Sequence, residues 1–298
     1  MDHDPIRIGV IGGSGLYQME GLEDVHEIHV TTPFGDPSDA LIAGRVKGVP
    51  VVFLPRHGRG HIHTPTEVPY RANIHALKQL GVEKLISISA CGSLREHLHP
   101  GDIVVPDQLF DFTKHRTSSF FGEGLVAHIS VAEPFCPGLS TLLFDAVAAA
   151  GGPAARSGEP TVHRGGTFIT IEGPRFSTKG ESLVYRRWGM DIIGMTASPE
   201  AFLAREAGMC YATMAHITDY DVWHESEEPV TVEMVIQVLH HNVGLAQQAL
   251  RLLAPRLAEI STECTCANAL DTALITARER IPAATLDKRR LLVGAHLA

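Results

Sequence analysis

Short apolar runs that break off at glycine- or proline-marked turns, alternating with stretches of helical spacing, constrain the fold of this chain most. Residues 6–11 form such a run and end in Gly12-Gly13-Ser14-Gly15; 40–46 and 49–54 form two more, joined at Lys47-Gly48. Residues 68–80 carry apolar side chains at helical spacing and stop at Gly81. The β-rich run 84–90 closes on Cys91-Gly92-Ser93, 102–105 is cut off by Pro106, and 166–171, 191–193 and 209–217 repeat the pattern. Between them, 139–150, 177–188, 198–207 and 231–253 read as helices. The third has Ser198 as its cap, Pro199 in the first helical position and Glu200 just after. This alternation predicts an α/β fold: a single domain with a central, mostly parallel or mixed β-sheet flanked by helices. Composition shifts only near residue 261. The domain is therefore expected at 1–260. Residues 261–298 are expected as a helical C-terminal extension, clearest at 268–280, packed on the same domain or a neighbouring subunit.

Charge narrows the function. A net charge of −9 argues against nucleic acid as a partner, because broad nucleic-acid binding needs a basic face. No apolar run is long enough to span a bilayer, and residues 1–5 are polar and acidic, unlike a signal peptide. The cytoplasm is the expected setting, with no membrane partner. The five cysteines are odd in number and scattered, which is not a disulfide framework. Cys91 and Cys210 sit in apolar surroundings and read as core residues. Cys264-Thr265-Cys266 is either a strained redox pair or two ordinary reduced thiols.

Five motifs and one acid pair could carry chemistry, and each also has a purely structural reading. The turn at Gly12 to Gly15 could hold an oxyanion on its amides and the Ser14 hydroxyl, or be a plain tight turn; it lacks the third glycine of a dinucleotide fingerprint and the lysine of a P-loop. Arg56-His57-Gly58-Arg59-Gly60-His61-Ile62-His63 follows a buried strand, and Arg56 there can grip phosphate with a bidentate fork. Its three histidines also raise a metal reading, but no acid or cysteine accompanies them and none is adopted. Ser89 precedes Ala90-Cys91-Gly92-Ser93, where small residues leave room for a ligand. In Ile171-Glu172-Gly173-Pro174-Arg175-Phe176-Ser177 a rigid turn presents Phe176 for stacking on a flat ring or for core packing, and Glu172 could pair with Arg175. Gly194-Met195-Thr196 offers a soft apolar platform, or a core filler followed by a helix start. Finally, Asp219 and Asp221 are two apart at the end of an apolar run. If that run is a strand, both point to one side. The alternative is two exposed turn residues. Four of these motifs end predicted strands, where open α/β sheets gather ligand sites. Together they suit a purine nucleoside plus phosphate.

The ordered set is similar to the 5′-methylthioadenosine phosphorylases, within the trimeric purine nucleoside phosphorylase superfamily. The stretches that carry the resemblance span roughly residues 6–255. They include Ile8 to Leu16, Thr32 to Ala40, Arg56-His57-Gly58, Ala90 to Arg95, Pro100 to Val104, Ala132 to Pro137, Thr170 to Ser177 and Thr218-Asp219-Tyr220-Asp221. The resemblance implies a nucleoside phosphorylase fold and a pentosyltransferase that splits an N-glycosidic bond to adenine and 5-methylthioribose 1-phosphate. It implies inorganic phosphate as co-substrate with no cofactor and no metal, a homotrimer or dimer of trimers, and a place in purine and methionine salvage. Carried over by position, it assigns phosphate to Ser14, Arg56, His57, Ser89 and Thr196, and the ribose to Met195. The base falls to Phe176, Ser177 and the catalytic pair Asp219 and Asp221. The apolar 5′ pocket falls to Val232, Val235 and Ile236, with His128 reaching in from a neighbouring subunit. The chain departs from the family pattern where serine replaces threonine at Ser14 and Ser89, and where Gly194 stands in place of asparagine.

On this reading Asp219, protonated, supplies N7 of the departing adenine, and Asp221 accepts from the 6-amino group. Two other functions are compatible with the motifs: a phosphorylase of 6-oxopurine nucleosides of the inosine, guanosine or methylthioinosine type, and a non-catalytic nucleotide-binding protein.

Overall fold

A computed structural model describes residues 5–13, 16, 21–151, 161–225, 232–259 and 264–297; at 232–242 and 259 it describes the backbone alone. Its strands and helices, in chain order, are β1 (Ile8–Gly12), β2 (Leu22–Ile28), β3 (Leu41–Val46), β4 (Val49–Pro55), α1 (Tyr70–Gln79), β5 (Lys84–Ser93), β6 (Ile103–Val105) and β7 (Gln108–Phe112). There follow α2 (Pro137–Ala149), β8 (Val162–Arg164), β9 (Thr167–Ile171), α3 (Lys179–Arg187), β10 (Ile192–Gly194), α4 (Ala197–Glu206), β11 (Cys210–Asp219), α5 (Val232–Glu259) and α6 (Ala283–Val293).

The strands form one mixed sheet in the order β2-β3-β4-β1-β5-β10-β9-β7, with β11, β6 and β8 branching from β5. Its centre is parallel: β1 lies between β4 and β5, and β11 runs along the other edge of β5. Such strands are covered on both faces and need apolar side chains on both. Accordingly all five residues of β1 and all ten of β11 are buried. One face, with Ile8, Val10, Phe53 and Ile86, packs on α2 and α5 through Leu139, Leu143, Leu250 and Leu253. The other, with Ile11, Val52, Leu54 and Leu85, packs on α1 and α4 through Ile74, Leu77, Leu203 and Ala204. Leu270, Ala273, Leu292 and Val293 of the C-terminal extension join that second core.

β5 is where the sheet changes hand. On one edge its first half pairs in parallel with β1, as far as Ile11 opposite Ser87. Its end pairs antiparallel with β10, at Gly92 and Ser93. Residues 88–91 lie between the two partners, and that break in the ladder marks the topological switch point at which open sheets bind ligands.

Three expectations are corrected. No regular helix fills 268–280; short 3-10 turns lie at Cys266–Asn268 and Arg278–Arg280, and the helix of the extension is α6, entered after Pro282. β2, β7 and β8 had no counterpart in the sequence reading. Glu172 does not pair with Arg175: Arg175 holds Glu181 at 2.7 Å, and Glu172 is held by Arg116 at 3.3 Å.

Candidate active site

Ser89 stands in the middle of β5, where one edge of the strand has no neighbour, and Thr196 precedes α4. Their hydroxyl oxygens lie 3.2 Å apart and both side chains are buried. Ser198 keeps an extended backbone (φ −102°, ψ 134°), so the regular helix begins only at Pro199, as the sequence predicts. Two hydroxyls beside a helix start suit an anion.

Arg56 follows directly on β4, its amide donating to Gly12 O at 3.0 Å. Its guanidinium is buried. Nε and Nη2 donate to the two carboxylate oxygens of Glu200 at 2.5 and 3.1 Å, Nη2 also reaches Ser87 Oγ at 2.7 Å, and Nη1 donates to Ile88 O at 3.1 Å. The bidentate edge expected to grip phosphate is therefore occupied by Glu200, which Tyr211 also engages at 2.9 Å. What remains, among the described residues, is the second hydrogen of Nη1, the nitrogen that donates to the carbonyl of Ile88, the residue before Ser89. Glu200 kept its expected place just inside α4, but its partner across the sheet lies 144 residues away and leaves no sequence signal.

His57 stacks on His61 with ring centroids 4.2 Å apart, and its Nδ1 faces His63 O at 2.9 Å. Burial and the charge of Arg56 hold it well below the usual histidine range, at about 4. A neutral ring whose Nδ1 faces a carbonyl must carry its proton there, which leaves Nε2 as an acceptor. It suits a protonated phosphate oxygen rather than a fully ionised one.

Asp219 and Asp221 converge, by a different route from the one strand periodicity suggests. β11 ends at Asp219, and its register against β5 slips between Ile217 and Asp219. Asp221 lies beyond the strand with φ +52°, a left-handed conformation uncommon for a residue with a side chain. The Asp221 amide donates to Asp219 Oδ1 at 2.7 Å, and Thr218 Oγ1 donates to Asp219 Oδ2 at 2.6 Å. Both carboxyls are buried. Burial raises Asp219 above the ordinary range, against the hydrogen bonds from Thr218 and the Asp221 amide. Burial pushes Asp221 up to about 6; the Ser182 and Ser177 hydroxyls nearby pull it back and the charge of Asp219 adds to the rise. Asp221 Oδ2 and the hydroxyls of Ser177 and Ser182 are buried and have no hydrogen-bond partner of ordinary geometry among the described residues. Buried polar atoms without partners are rare, and three together mark a surface shaped for a polar ligand.

Gly92 closes the back of this pair. A Cβ there would stand 2.8 Å from Asp219 Oδ1 and 3.3 Å from the Asp221 Cβ. Gly194 has a packing reason to be glycine: a Cβ would meet the Phe168 ring at 2.7 Å. Met195 is half-buried, with Gly173 against its sulfur in a left-handed conformation (φ +66°). Phe176 is exposed at 39 % and so is not a core residue. Arg116 ties the two loops together: it donates to Met195 O and Ser198 O at 2.5 and 2.7 Å, and to Glu172 O at 2.6 Å. Sequence reasoning missed Arg116 because most of its partners are carbonyls, which no residue type advertises.

The remaining expected residues lie apart from this cluster or outside the description. His128 is exposed on a loop against the extension, its amide donating to Ala273 O at 2.9 Å; it makes no described contact with Ser89, Met195 or Asp219. Val232, Val235 and Ile236 share one face of α5 by their i, i+3, i+4 spacing, though their side chains lie outside the described residues. Ser14 lies outside them altogether.

Comparisons with known proteins agree with one another. Residues 7–254 match the family model of the phosphorylase superfamily. An S-methyl-5′-thioadenosine phosphorylase of Gloeobacter violaceus is 53% identical over 298 residues, covering 100% of this chain and 98% of the relative. That of Thermosynechococcus vestitus is 52% identical over 291 residues, 98% of this chain and 99% of the relative. Among solved structures, a methylthioadenosine phosphorylase from an antarctic soil metagenomic library superposes with a TM-score of 0.91 at 46% identity, covering 97% of this chain and 99% of that one. A Schistosoma mansoni methylthioadenosine phosphorylase in complex with adenine gives 0.82 at 38% identity, covering 89% and 96%. The chain therefore belongs to the phosphorylase superfamily and, within it, to the family of S-methyl-5′-thioadenosine phosphorylases.

Proposed function

We propose that the protein cleaves 5′-methylthioadenosine with inorganic phosphate, giving adenine and 5-methylthioribose 1-phosphate. The observation that carries this reading is the buried Asp219–Asp221 pair three strand residues along from Ser89. At about 3.3 Å per residue the hydroxyl pair and the acid pair stand about 10 Å apart, room for a ribose and the near ring of a purine. Phosphate belongs between Ser89, Thr196 and the remaining Nη1 hydrogen of Arg56, with His57 Nε2 accepting from a protonated oxygen. Held there, it faces the anomeric carbon and stabilises the positive charge that grows on the sugar as the glycosidic bond lengthens. The departing adenine gathers electrons and takes a proton at N7. The acid pair supplies it: like charges in one apolar site favour a single shared proton, delivered through Asp219. Asp221 Oδ2, which has no hydrogen-bond partner of ordinary geometry among the described residues, accepts from the 6-amino group. Phe176 stacks on the base, Ser177 borders it and Met195 supports the ribose. Val232, Val235 and Ile236 wall the 5′ substituent.

The same reading carries a cytoplasmic place in purine and methionine salvage. It also carries a homotrimeric assembly, in which the exposed His128 serves the site of a neighbouring copy.

The test is adenine release from 5′-methylthioadenosine with and without phosphate, beside adenosine and inosine. Strict phosphate dependence with preference for the methylthio substrate is expected. Equal release without phosphate would make the protein a hydrolase, and preference for inosine a 6-oxopurine enzyme. Asp219→Asn is expected to lower kcat/KM on adenine nucleosides by about 10²–10⁴-fold, the usual contribution of a positioned proton donor, while sparing inosine, whose 6-oxo group welcomes an amide donor.

A further inference from the structure

Four of the five cysteines, drawn from three separate parts of the chain, meet at one point. The Sγ atoms of Cys136, Cys210, Cys264 and Cys266 all lie within 4.8 Å of each other. Cys264 approaches Cys210 at 3.3 Å, so the thiols of Cys264-Thr265-Cys266 belong to a larger cluster rather than standing as an isolated pair. None of the four is joined in a disulfide. Three are buried and Cys264 is half-buried, at the edge of the core beneath α2 and α5.

We propose that these four thiols form a structural site for a single tetrahedral divalent ion of the zinc type. A Zn–S bond of about 2.3 Å puts tetrahedral sulfurs about 3.8 Å apart, within the range that the four sulfurs span here. All-thiolate coordination with no open position is the donor set of structural zinc rather than of a hydrolytic metal. A multi-iron cluster needs inorganic sulfide between its ligands, and the four sulfurs stand too close for that.

The backbone prepares the site. Cys136 is the N-cap of α2, with Pro137 in the first turn, where the helix dipole favours a thiolate. The Cys136 amide donates to Tyr211 O at 2.8 Å, which fixes it beside the start of β11, where Cys210 stands. Cys266 opens a 3-10 turn whose amides fold back onto Thr265 and Cys266 carbonyls, presenting the last two ligands over that strand end. Binding is balanced by protons: each thiol that enters as S–H gives its proton to solvent, and the four thiolates with the dication leave a net charge of two minus. The ion would join the entry of α2, the start of β11 and the C-terminal extension.

The experiment is elemental analysis of the full chain, expressed with zinc available and purified under reducing conditions without chelator. About one zinc per chain is expected. Reconstitution with Co²⁺ should give the strong near-ultraviolet sulfur-to-cobalt band and visible bands of a tetrahedral tetrathiolate. The Cys264→Ser, Cys266→Ser double variant alters only the extension and should lose the metal. Less than about 0.1 zinc per chain, with all five thiols free on denaturation, would overturn the proposal. So would a mass deficit of two hydrogens per cysteine pair, which marks disulfides, or octahedral cobalt bands. The wild-type stoichiometry decides even if the variant fails to fold.

Discussion

Asp221 is held against its own preferences. Its backbone is left-handed at φ +52° and its carboxyl is buried, with a pKa pushed up to about 6 from 3.8. The stability that follows has a definite sign. A carboxyl whose pKa is higher folded than unfolded holds more protons in the native state between those two values. Stability is therefore fully present below about pH 4 and falls as the pH rises through about 6. The shift of about two units corresponds to roughly 2–3 kcal/mol. Asp221→Asn should consequently raise the melting temperature at pH 7.5 while leaving it unchanged near pH 4, in thermal melts across that range; an equal effect at both pH values would disprove the assignment. The Arg56–Glu200 pair makes the opposite case. Both side chains are almost fully buried, so removing one leaves the other charge unbalanced. Glu200→Ala should lose about 3–5 kcal/mol in denaturant unfolding, and added phosphate should restore part of it by taking the edge of Arg56 that Glu200 vacates.

At the scale of elements, the site is built where β5 exchanges one neighbour for another, and glycine allows the close approach there. Gly92→Ala would press a methyl against Asp219 Oδ1, 2.8 Å away, and against the base of Asp221. We expect kcat/KM to fall by about 10²-fold, the scale set by a displaced reacting group, with phosphate affinity nearly unchanged because Ser89 and Thr196 lie at the other end; steady-state kinetics with both substrates varied separates the two. How much of this was legible in sequence depends on the element. β1, β4, β5 and β11 are buried on both faces, so hydrophobicity alone announces them. β2 is an edge strand with five exposed residues in its middle, and its acidic, histidine-bearing sequence carries no apolar period. β7 is largely exposed and β8 has only three residues. In the extension, the break at Pro282 and the charged face of α6 masked a helix whose Arg289 is buried against Phe120 O. The site divides in the same way. Asp219 ends a strand, Asp221 follows it, Thr196 starts a helix and Ser89 lies at the end of the apolar run 84–90, so these could be read. Glu200, Arg116 and Ser182 reach the site by tertiary placement, and so could not.

Across the whole molecule, one strand runs from the Ser89 hydroxyl to Gly92, the glycine against which the Asp219 carboxyl packs. Ser89 and Gly92 are residues of the same ten-residue strand, held by β11 on one side throughout and by two different strands on the other. Such a strand acts as a ruler between the two ligands. Seating an anion at Ser89 pins the stretch that lacks a neighbour on that edge, and with it the distance to the acid pair. The ordering cost met by the first ligand is then not met again by the second. Phosphate should tighten adenine, and adenine should tighten phosphate by the same factor, since the two couplings are one free energy seen from either end. Calorimetric titration of each ligand in the presence and absence of the other measures both factors. Unequal factors are thermodynamically barred, and a factor of one would mean that the two halves of the site do not sense each other through β5.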